Sequence, residues 1–297
     1  MDVKRLTAKF TAAVLMVCGF TFGVLAEGRL GVPTDKSIWF QEPANEQARR
    51  IADFNLDLMY IITIITILVF VLMFYVMWRF RAKKNPNPSK VSHNTLIEVL
   101  WTGIPIVILA IIGATSLPLL YYQDQIPETE FAINVTGSQW NWTYEYPDHG
   151  GFEFVANVVK DEVFNDPADK ASAEAELSSF LGRQAKFNAR LLDTDYRVVV
   201  PVDTKIKVHL TASDVIHAWA MPALGLKLDA VPGRLNELWF EVDQIGTYYG
   251  QCSELCGRDH AYMPIALEAV SKEDFAKWVE LRQRADRASA ANTALGR

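Results

Sequence analysis

Two apolar runs without a charge constrain this chain more than any other feature. Leu58 to Trp78 is 21 residues without a charged side chain, and Val99 to Tyr122 is 24. At a rise of about 1.5 Å per residue, either run spans a hydrocarbon core of roughly 30 Å. Buried core helices of this length would be unusual in a soluble protein. Pro105 and Pro118 lie in the second run, where a membrane helix tolerates proline if the freed backbone groups find partners. The connecting stretch carries Arg79, Arg81, Lys83, Lys84 and Lys90, with Pro86 and Pro88 shaping a turn. Positive charge stays in the cytoplasm. A two-helix transmembrane hairpin is therefore expected over 57–122, with Trp78, Tyr121 and Tyr122 at the interfaces and everything after Tyr122 facing outward.

The first 26 residues read as a signal peptide: Lys4, Arg5 and Lys9, then apolar Phe10 to Leu25, then a small-residue cleavage site before Glu27. An uncleaved third helix is the alternative. Cys18 would leave with the peptide, so the mature chain keeps two of three cysteines. Residues 27–56 form a polar outward segment ahead of the hairpin. Beyond residue 123 the long runs give way to short alternating ones. Phe131–Thr136, Gln139–Tyr146, Phe152–Val159, Tyr196–Val200, Lys205–Ala212, Leu235–Val242, Gly246–Gly250 and Ile265–Val270 are rich in β-branched and aromatic residues and bounded by Gly, Pro or Asp. That many short strands predict a sandwich or a Greek-key barrel over 123–285. An Ala- and Glu-rich stretch predicts a helical insertion at about 160–190. Ser271 to Ala285 predicts an amphipathic closing helix, and 286–297 a flexible tail.

From Gln123 onward there are 27 Asp and Glu against 17 Lys and Arg, a balance of −10, whereas the whole chain stands at −6. An acidic outward domain repels nucleic acid and attracts basic partners.

The chemistry concentrates in twelve residues, Cys252-Ser-Glu-Leu-Cys256-Gly-Arg-Asp-His260-Ala-Tyr-Met263, with His217 upstream. The spacing leaves three readings open. Cys252 and Cys256 could close a disulfide in an oxidising compartment. Two Cys and two His are also a zinc donor set. Thiolate, thioether and imidazole together suit copper. Met263 argues against zinc, which has no need of a thioether. A mononuclear blue-copper site takes one Cys, two His and a weak Met, and here there is one thiolate too many. Two thiolates can bridge two copper ions and leave one His for each.

These residues resemble subunit II of the heme-copper cytochrome c oxidases of bacteria and mitochondria. The likeness runs from about residue 50 to 280. It rests on Gln251-Cys-Ser-Glu-Leu-Cys-Gly257, His260-Ala-Tyr-Met-Pro264, Asp214-Val-Ile-His-Ala-Trp219, Asp229-Ala-Val-Pro-Gly-Arg234 and Gln139-Trp-Asn-Trp142. The resemblance implies a cupredoxin-like Greek-key barrel and a binuclear CuA centre. Cys252 and Cys256 would bridge its two coppers. His217 and Met263 would complete one copper, His260 and the backbone carbonyl of Glu254 the other. The Glu254 side chain would help bind Mg2+ at the junction with the catalytic subunit, in keeping with magnesium's preference for hard oxygen ligands.

Trp140 resembles the family's electron-accepting aromatic. Alternation puts Trp140 and Trp142 on one face, so pattern alone does not separate core from surface. The chain departs from the family here: Ser138 and Asn141 stand where His and Tyr are usual. Asp195 and Asp214 match carboxylates that meet the lysine ring of cytochrome c, and Glu145 and Asp148 are further candidates on sequence. Glu98, at the cytoplasmic end of the second span, resembles the mouth of a proton path, a common role for ionisable groups at the membrane edges of pumps.

The implied function is electron input. The chain would take electrons from cytochrome c and pass them to heme in catalytic subunit I, where O2 is reduced to water with proton pumping. Heme and CuB would belong to that partner only, since neither span holds a histidine. Subunit I, other oxidase subunits and membrane lipid are the implied neighbours. The implied location is the bacterial inner membrane, with the N-terminus and the C-terminal domain in the periplasm. A quinol oxidase subunit shares the architecture but lacks the copper ligands. A CuA subunit of a nitric-oxide reductase, or a membrane-anchored copper-delivery protein, is the alternative.

Overall fold

A computed structural model describes residues 31–34 and 36–294; the expected signal peptide lies outside the described residues. Helix α1 (Glu46–Arg79) and helix α2 (Thr95–Asp124) contain the two charge-free runs and are 34 and 30 residues long. Both are long and apolar enough to cross a membrane. Their apolar side chains are exposed along the spans, as lipid or a neighbouring subunit requires. Helix α2 runs unbroken through Pro105 and Pro118.

Helix α1 begins at Glu46, so the polar lead-in expected over 27–56 ends in helix. The cause is a cap. Asn45 Oδ1 accepts the Ala48 N–H at 2.8 Å, and Asn45 Nδ2 donates to the carbonyls of Leu224 and Glu241 at 3.2 and 3.1 Å. Glu46 in the first turn complements the helix dipole and pairs with Arg50. Neighbouring contacts fasten the hairpin to the β domain. Arg49 meets Asp243 at 2.7 Å, and the Arg50 guanidinium lies 4.1 Å from the Tyr122 ring centre. Tyr122 packs edge-on against Trp239. The Glu46 end of α1 and the Asp124 end of α2 thus meet the β domain, and the basic loop lies at the opposite end of the hairpin.

The β domain has ten strands: β1 (Phe131–Ser138), β2 (Asn141–Tyr146), β3 (Phe152–Ala156), β4 (Val198–Pro201), β5 (Ile206–Ala212), β6 (His217–Met221), β7 (Leu226–Ala230), β8 (Asn236–Phe240), β9 (Gly246–Cys252) and β10 (Pro264–Val270). They form two five-stranded sheets, ordered β3-β2-β1-β5-β8 and β4-β10-β9-β6-β7. The β1–β5 and β4–β10 pairs are parallel, so their connections must cross the sandwich instead of turning in a hairpin. β1 and β2 bury every second side chain. Ile133, Val135, Trp142 and Tyr144 from one sheet share a core with Val198, Ile265 and Leu267 from the other. The result is a cupredoxin-like sandwich behind a two-helix membrane hairpin.

Several other elements differ from expectation. β6 and β7 are absent from the sequence-based set. β6 is buried at all five positions, so it carries no alternation to read. The strand expected over Gln139–Tyr146 starts at Asn141, because Ser138 pairs with Asn141 across a tight turn at Gln139-Trp140. The insertion folds as helices α3 (Asp161–Asn165) and α4 (Pro167–Leu181), and irregular chain follows to Arg197. The closing helix α5 (Lys272–Ala294) runs nine residues past Ala285. The flexible tail expected from 286 is helical to Ala294, as its alanine content favours.

Candidate metal centre

One end of the sandwich gathers the ends of five strands: β1 and β9 at their C-termini, and β2, β6 and β10 at their N-termini. His217 opens β6, Cys252 closes β9, and Met263 immediately precedes β10. Cys256 and His260 lie on the loop between β9 and β10. His217, Cys252, Cys256 and Met263 are all at most 3% exposed, and His260 is half-buried.

Facing donor atoms of His217, Cys252 and Cys256 lie within 4.8 Å of one another. Cys252 Sγ stands 3.9 Å from Cys256 Sγ and 3.9 Å from His217 Nδ1. It also lies 3.4 Å from the Glu254 carbonyl oxygen. Cys256 Sγ is 3.5 Å from His260 Nδ1 and 3.4 Å from Met263 Sδ. All six atoms of the implied ligand set therefore surround one small volume. Both thiols are free, and their separation leaves room for metal–sulfur bonds of about 2.3 Å on either side. The donor set fits a pair of soft or borderline metal ions, and Met263 Sδ facing the same volume favours copper over zinc.

A second layer of contacts aims these ligands. Asp214 Oδ1 lies 2.9 Å from His217 Nε2. That contact places the imidazole proton on Nε2 and leaves Nδ1 as a lone pair facing Cys252, the usual device for orienting a histidine ligand. Asp214 also accepts the backbone N–H groups of Gln139 and Val215. Partial burial opposes ionisation of Asp214, but the His217 contact and these two N–H donors outweigh it and hold its carboxyl below the usual range. Gln139 Nε2 donates to the Cys256 carbonyl at 2.8 Å, and Trp140 Nε1 donates to the same oxygen at 3.3 Å. Trp142 Nε1 donates to the Met263 carbonyl, and its ring lies edge-on to His217 at 6.0 Å. Gly137 leaves space for that imidazole: a Cβ there would meet the His217 ring at 3.1 Å and Trp142 at 3.0 Å. Sequence reasoning singled out neither Gly137 nor Gln139 for this role. Burial pushes the metal-free Cys256 thiol up to about 12, with the Cys252 sulfur adding to the effect.

The turn resolves the tryptophan pair. Trp142 is fully buried and Trp140, on the turn itself, is half-exposed. Ser138, one of the two departures from the family pattern, is satisfied by Ser213 Oγ at 2.8 Å. Asn141, the other, closes the turn, a position asparagine favours.

The four candidate docking carboxylates divide. Asp214 is exposed beside His217. Asp195 is half-buried at the same end, where it accepts from Asn157 N and Nδ2, just beyond the Trp142–Ala156 pair. Burial raises its carboxyl, against the pull of those hydrogen bonds. Glu145 and Asp148 are not brought to this end. Glu145 is four residues along β2 from Asn141, about 13 Å at the usual strand rise. It accepts from Asn134, and Asp148 accepts the Ala132 N–H at the start of β1. Glu254 directs an exposed carboxylate out of the ligand loop. Glu98 is half-buried in the first turn of α2, at the end of the hairpin away from the sandwich.

Comparison with known proteins is decisive about the family. Residues 131–270 match the family described as cytochrome c oxidase subunit II, periplasmic domain, and residues 33–119 match its transmembrane domain. The chain is 45% identical over 252 residues to a probable cytochrome c oxidase subunit 2 of Rickettsia felis, covering 85% of this chain and 74% of that one. It is 43% identical over 251 residues to the cytochrome c oxidase subunit 2 of Cereibacter sphaeroides, covering 84% and 82%. A solved structure of the periplasmic domain of subunit II of the Bradyrhizobium japonicum cytochrome oxidase is 43% identical. It aligns with a TM-score of 0.45 over 54% of this chain and 99% of that one. The chain belongs to the cytochrome c oxidase subunit II family and is a membrane subunit of that oxidase.

Proposed function

We propose that this chain is the electron-input subunit of its oxidase, holding a binuclear CuA centre between Cys252, Cys256, His217, His260, Met263 and the Glu254 carbonyl. The observation that carries the proposal is the convergence of these six donor groups on one buried volume, with outer contacts on His217, Cys256 and Met263. When bound, a bridged copper pair shares one electron over two metals, which lowers the rearrangement needed on each transfer. The protein's part is rigidity. Asp214 fixes His217, Trp142 holds the Met263 carbonyl, and Gln139 and Trp140 hold that of Cys256.

In this reading Trp140 receives the electron from cytochrome c, since its half-exposed ring is hydrogen-bonded to the backbone of a copper ligand. Asp214 and Asp195 flank it at the same end of the sandwich and supply negative charge for a basic donor. The electron leaves toward heme in catalytic subunit I, the site of O2 reduction and proton pumping. Glu254 contributes its exposed side chain to a Mg2+ site shared with that subunit, and Glu98 opens a proton path from the cytoplasmic side. The basic loop at the inner end of the hairpin sets the orientation, with the N-terminus and the β domain in the periplasm of a bacterial inner membrane.

The deciding experiment is a metal count with electron paramagnetic resonance on the purified full chain in detergent. Two coppers per chain sharing one unpaired electron are expected. One isolated copper, stoichiometric zinc, or a Cys252–Cys256 disulfide would overturn the assignment. For magnesium, Mn2+ exchanged into the complex should give a resonance signal that Glu254→Gln weakens or abolishes.

A further inference from the structure

The loop that delivers Cys256 to the metal centre also delivers a cation to Trp140. The Cys256 carbonyl accepts the Trp140 Nε1–H. Two residues on, the Arg258 guanidinium carbon lies 5.5 Å from the centre of the same indole, within reach of a cation–π contact. Gly257 makes the close approach possible. Its φ is +121°, and a Cβ there would stand 3.2 Å from Trp140 Cζ2 and 3.0 Å from Gln139 Nε2. Arg258 is held from its other side by Asp259 at 3.0 Å, yet its side chain remains 82% exposed. It therefore projects from the surface that a donor must cover to reach Trp140, at the end of the sandwich where Asp214 and Glu254 are also exposed.

We propose that Arg258 is a specificity residue for the electron donor. It sets a positive charge over the aromatic ring, inside a rim that is otherwise suited to a basic partner. A donor whose heme edge is ringed by lysines meets repulsion at the centre of the contact. A donor with the same lysine ring and one acidic or uncharged residue opposite Arg258 does not. Asp259 moderates the charge without cancelling it, because the guanidinium stays in solvent. The proposal rests on the reading of Trp140 as the electron acceptor. Charges of this kind act on association and its salt dependence more than on the electron-transfer step.

The test uses the intact oxidase with a lysine-ringed cytochrome c as substrate, over a range of ionic strength. Arg258→Gln should lower KM about threefold at low salt, within the range of one exposed charge pair, and Arg258→Glu, which changes the charge by two units, about tenfold. Both differences should fade as the Debye length shrinks to a few ångströms. Arg258→Lys, which keeps the charge, should restore the original salt dependence. The copper resonance spectrum should be the same in all three, which separates loss of charge from a disturbed loop. Unchanged KM and salt slope in the Gln and Glu variants would overturn the proposal, and so would an equal shift in the Lys variant. If KM does not move, Trp140→Phe locates the fault. Slowed reduction of the copper centre in that variant leaves the electron-input reading standing and removes only the role of Arg258. Undiminished reduction removes Trp140 as the acceptor, and the proposal with it.

Discussion

Asp214 and His217 are three residues apart and face each other across 2.9 Å, carboxylate Oδ1 to imidazole Nε2. The pair joins the acidic rim to the metal centre, because the same carboxylate takes the Gln139 N–H and so ties down the turn that carries Trp140. One side chain thus orients His217, ties down the turn that carries Trp140 and, in the proposed reading, presents negative charge to a donor.

Removing that carboxylate should loosen the metal more than it loosens the fold. Asp214→Ala leaves His217 buried but free to rotate or change tautomer. Loss of such an outer partner typically costs about 10–100-fold in metal affinity. A chelator titration of the copper-loaded chain should show a drop in that range, with the melting temperature of the metal-free chain nearly unchanged. Equal affinities in the two proteins would show that packing against Trp142 alone orients the imidazole.

Met263→Leu tests the weakest of the proposed ligands. Met263 Sδ faces Cys256 Sγ at 3.4 Å, and the Met263 backbone is held independently by Trp142 and by the Cys252 N–H. The substitution keeps volume and apolarity, so the loop should stay in place and copper should still bind. The two metals should become unequal and the potential should rise. An optical spectrum and midpoint potential indistinguishable from the parent would strike Met263 from the ligand set.

The Cys256 thiol gives the metal-free chain a distinctive alkaline response. Burial pushes it up to about 12, while a cysteine in the unfolded chain ionises near ~8.5. Between those values the unfolded state has released its proton and the folded state has kept it, so rising pH favours unfolding. The contribution is complete below the unfolded value and is lost as pH climbs toward 12. The thermal midpoint of the metal-free β domain, followed by tryptophan fluorescence in the full chain, should fall between pH 9 and 11. Cys256→Ser should flatten the profile. Copper, which needs both thiolates, should bind more tightly as pH rises over the same range. A flat profile in the parent chain would refute the assignment.

What could be read from the sequence follows how local each signal is. Four of the proposed side-chain ligands lie within twelve residues, so their chemistry is visible without a fold, and the two spans announce themselves by lacking charge. The layer that aims the ligands is not local. Gln139 reaches Cys256 across 117 positions and Trp142 reaches Met263 across 121, and no spacing rule reports such contacts. Gly137 resembles any strand glycine until the His217 ring is placed over it. The start of α1 at Glu46 rests on an Asn45 cap that also bonds to carbonyls 179 and 196 residues away. β6 escaped because burial on both faces erases alternation. Glu145 and Asp148 looked close to Trp140 in sequence, yet a strand carries them away from it at about 3.3 Å per residue.

The insertion is anchored by a buried charge cluster whose removal should be felt across the whole domain. Arg197 is 2% exposed and meets Asp193 at 2.7 Å and Glu268 of β10 at 2.8 Å. It also donates to the Lys186 carbonyl, while Arg183 pairs with Glu268 from the insertion's far end. Arg197→Met keeps much of the volume and deletes the charge, leaving Asp193 and Glu268 buried with fewer partners. Breaking one side of a buried pair costs about 3–5 kcal/mol, enough to lower the unfolding midpoint of the domain sharply. Replacing Arg197, Asp193 and Glu268 together by apolar residues of similar size should recover only part of the loss, because the buried pair goes as a unit but Arg183 loses its Glu268 partner and the Ala189 N–H loses the Asp193 carboxylate. Thermal denaturation of the single and triple variants measures both effects. A single variant as stable as the parent would mean that Arg183 alone compensates Glu268 and that the cluster does not anchor the insertion.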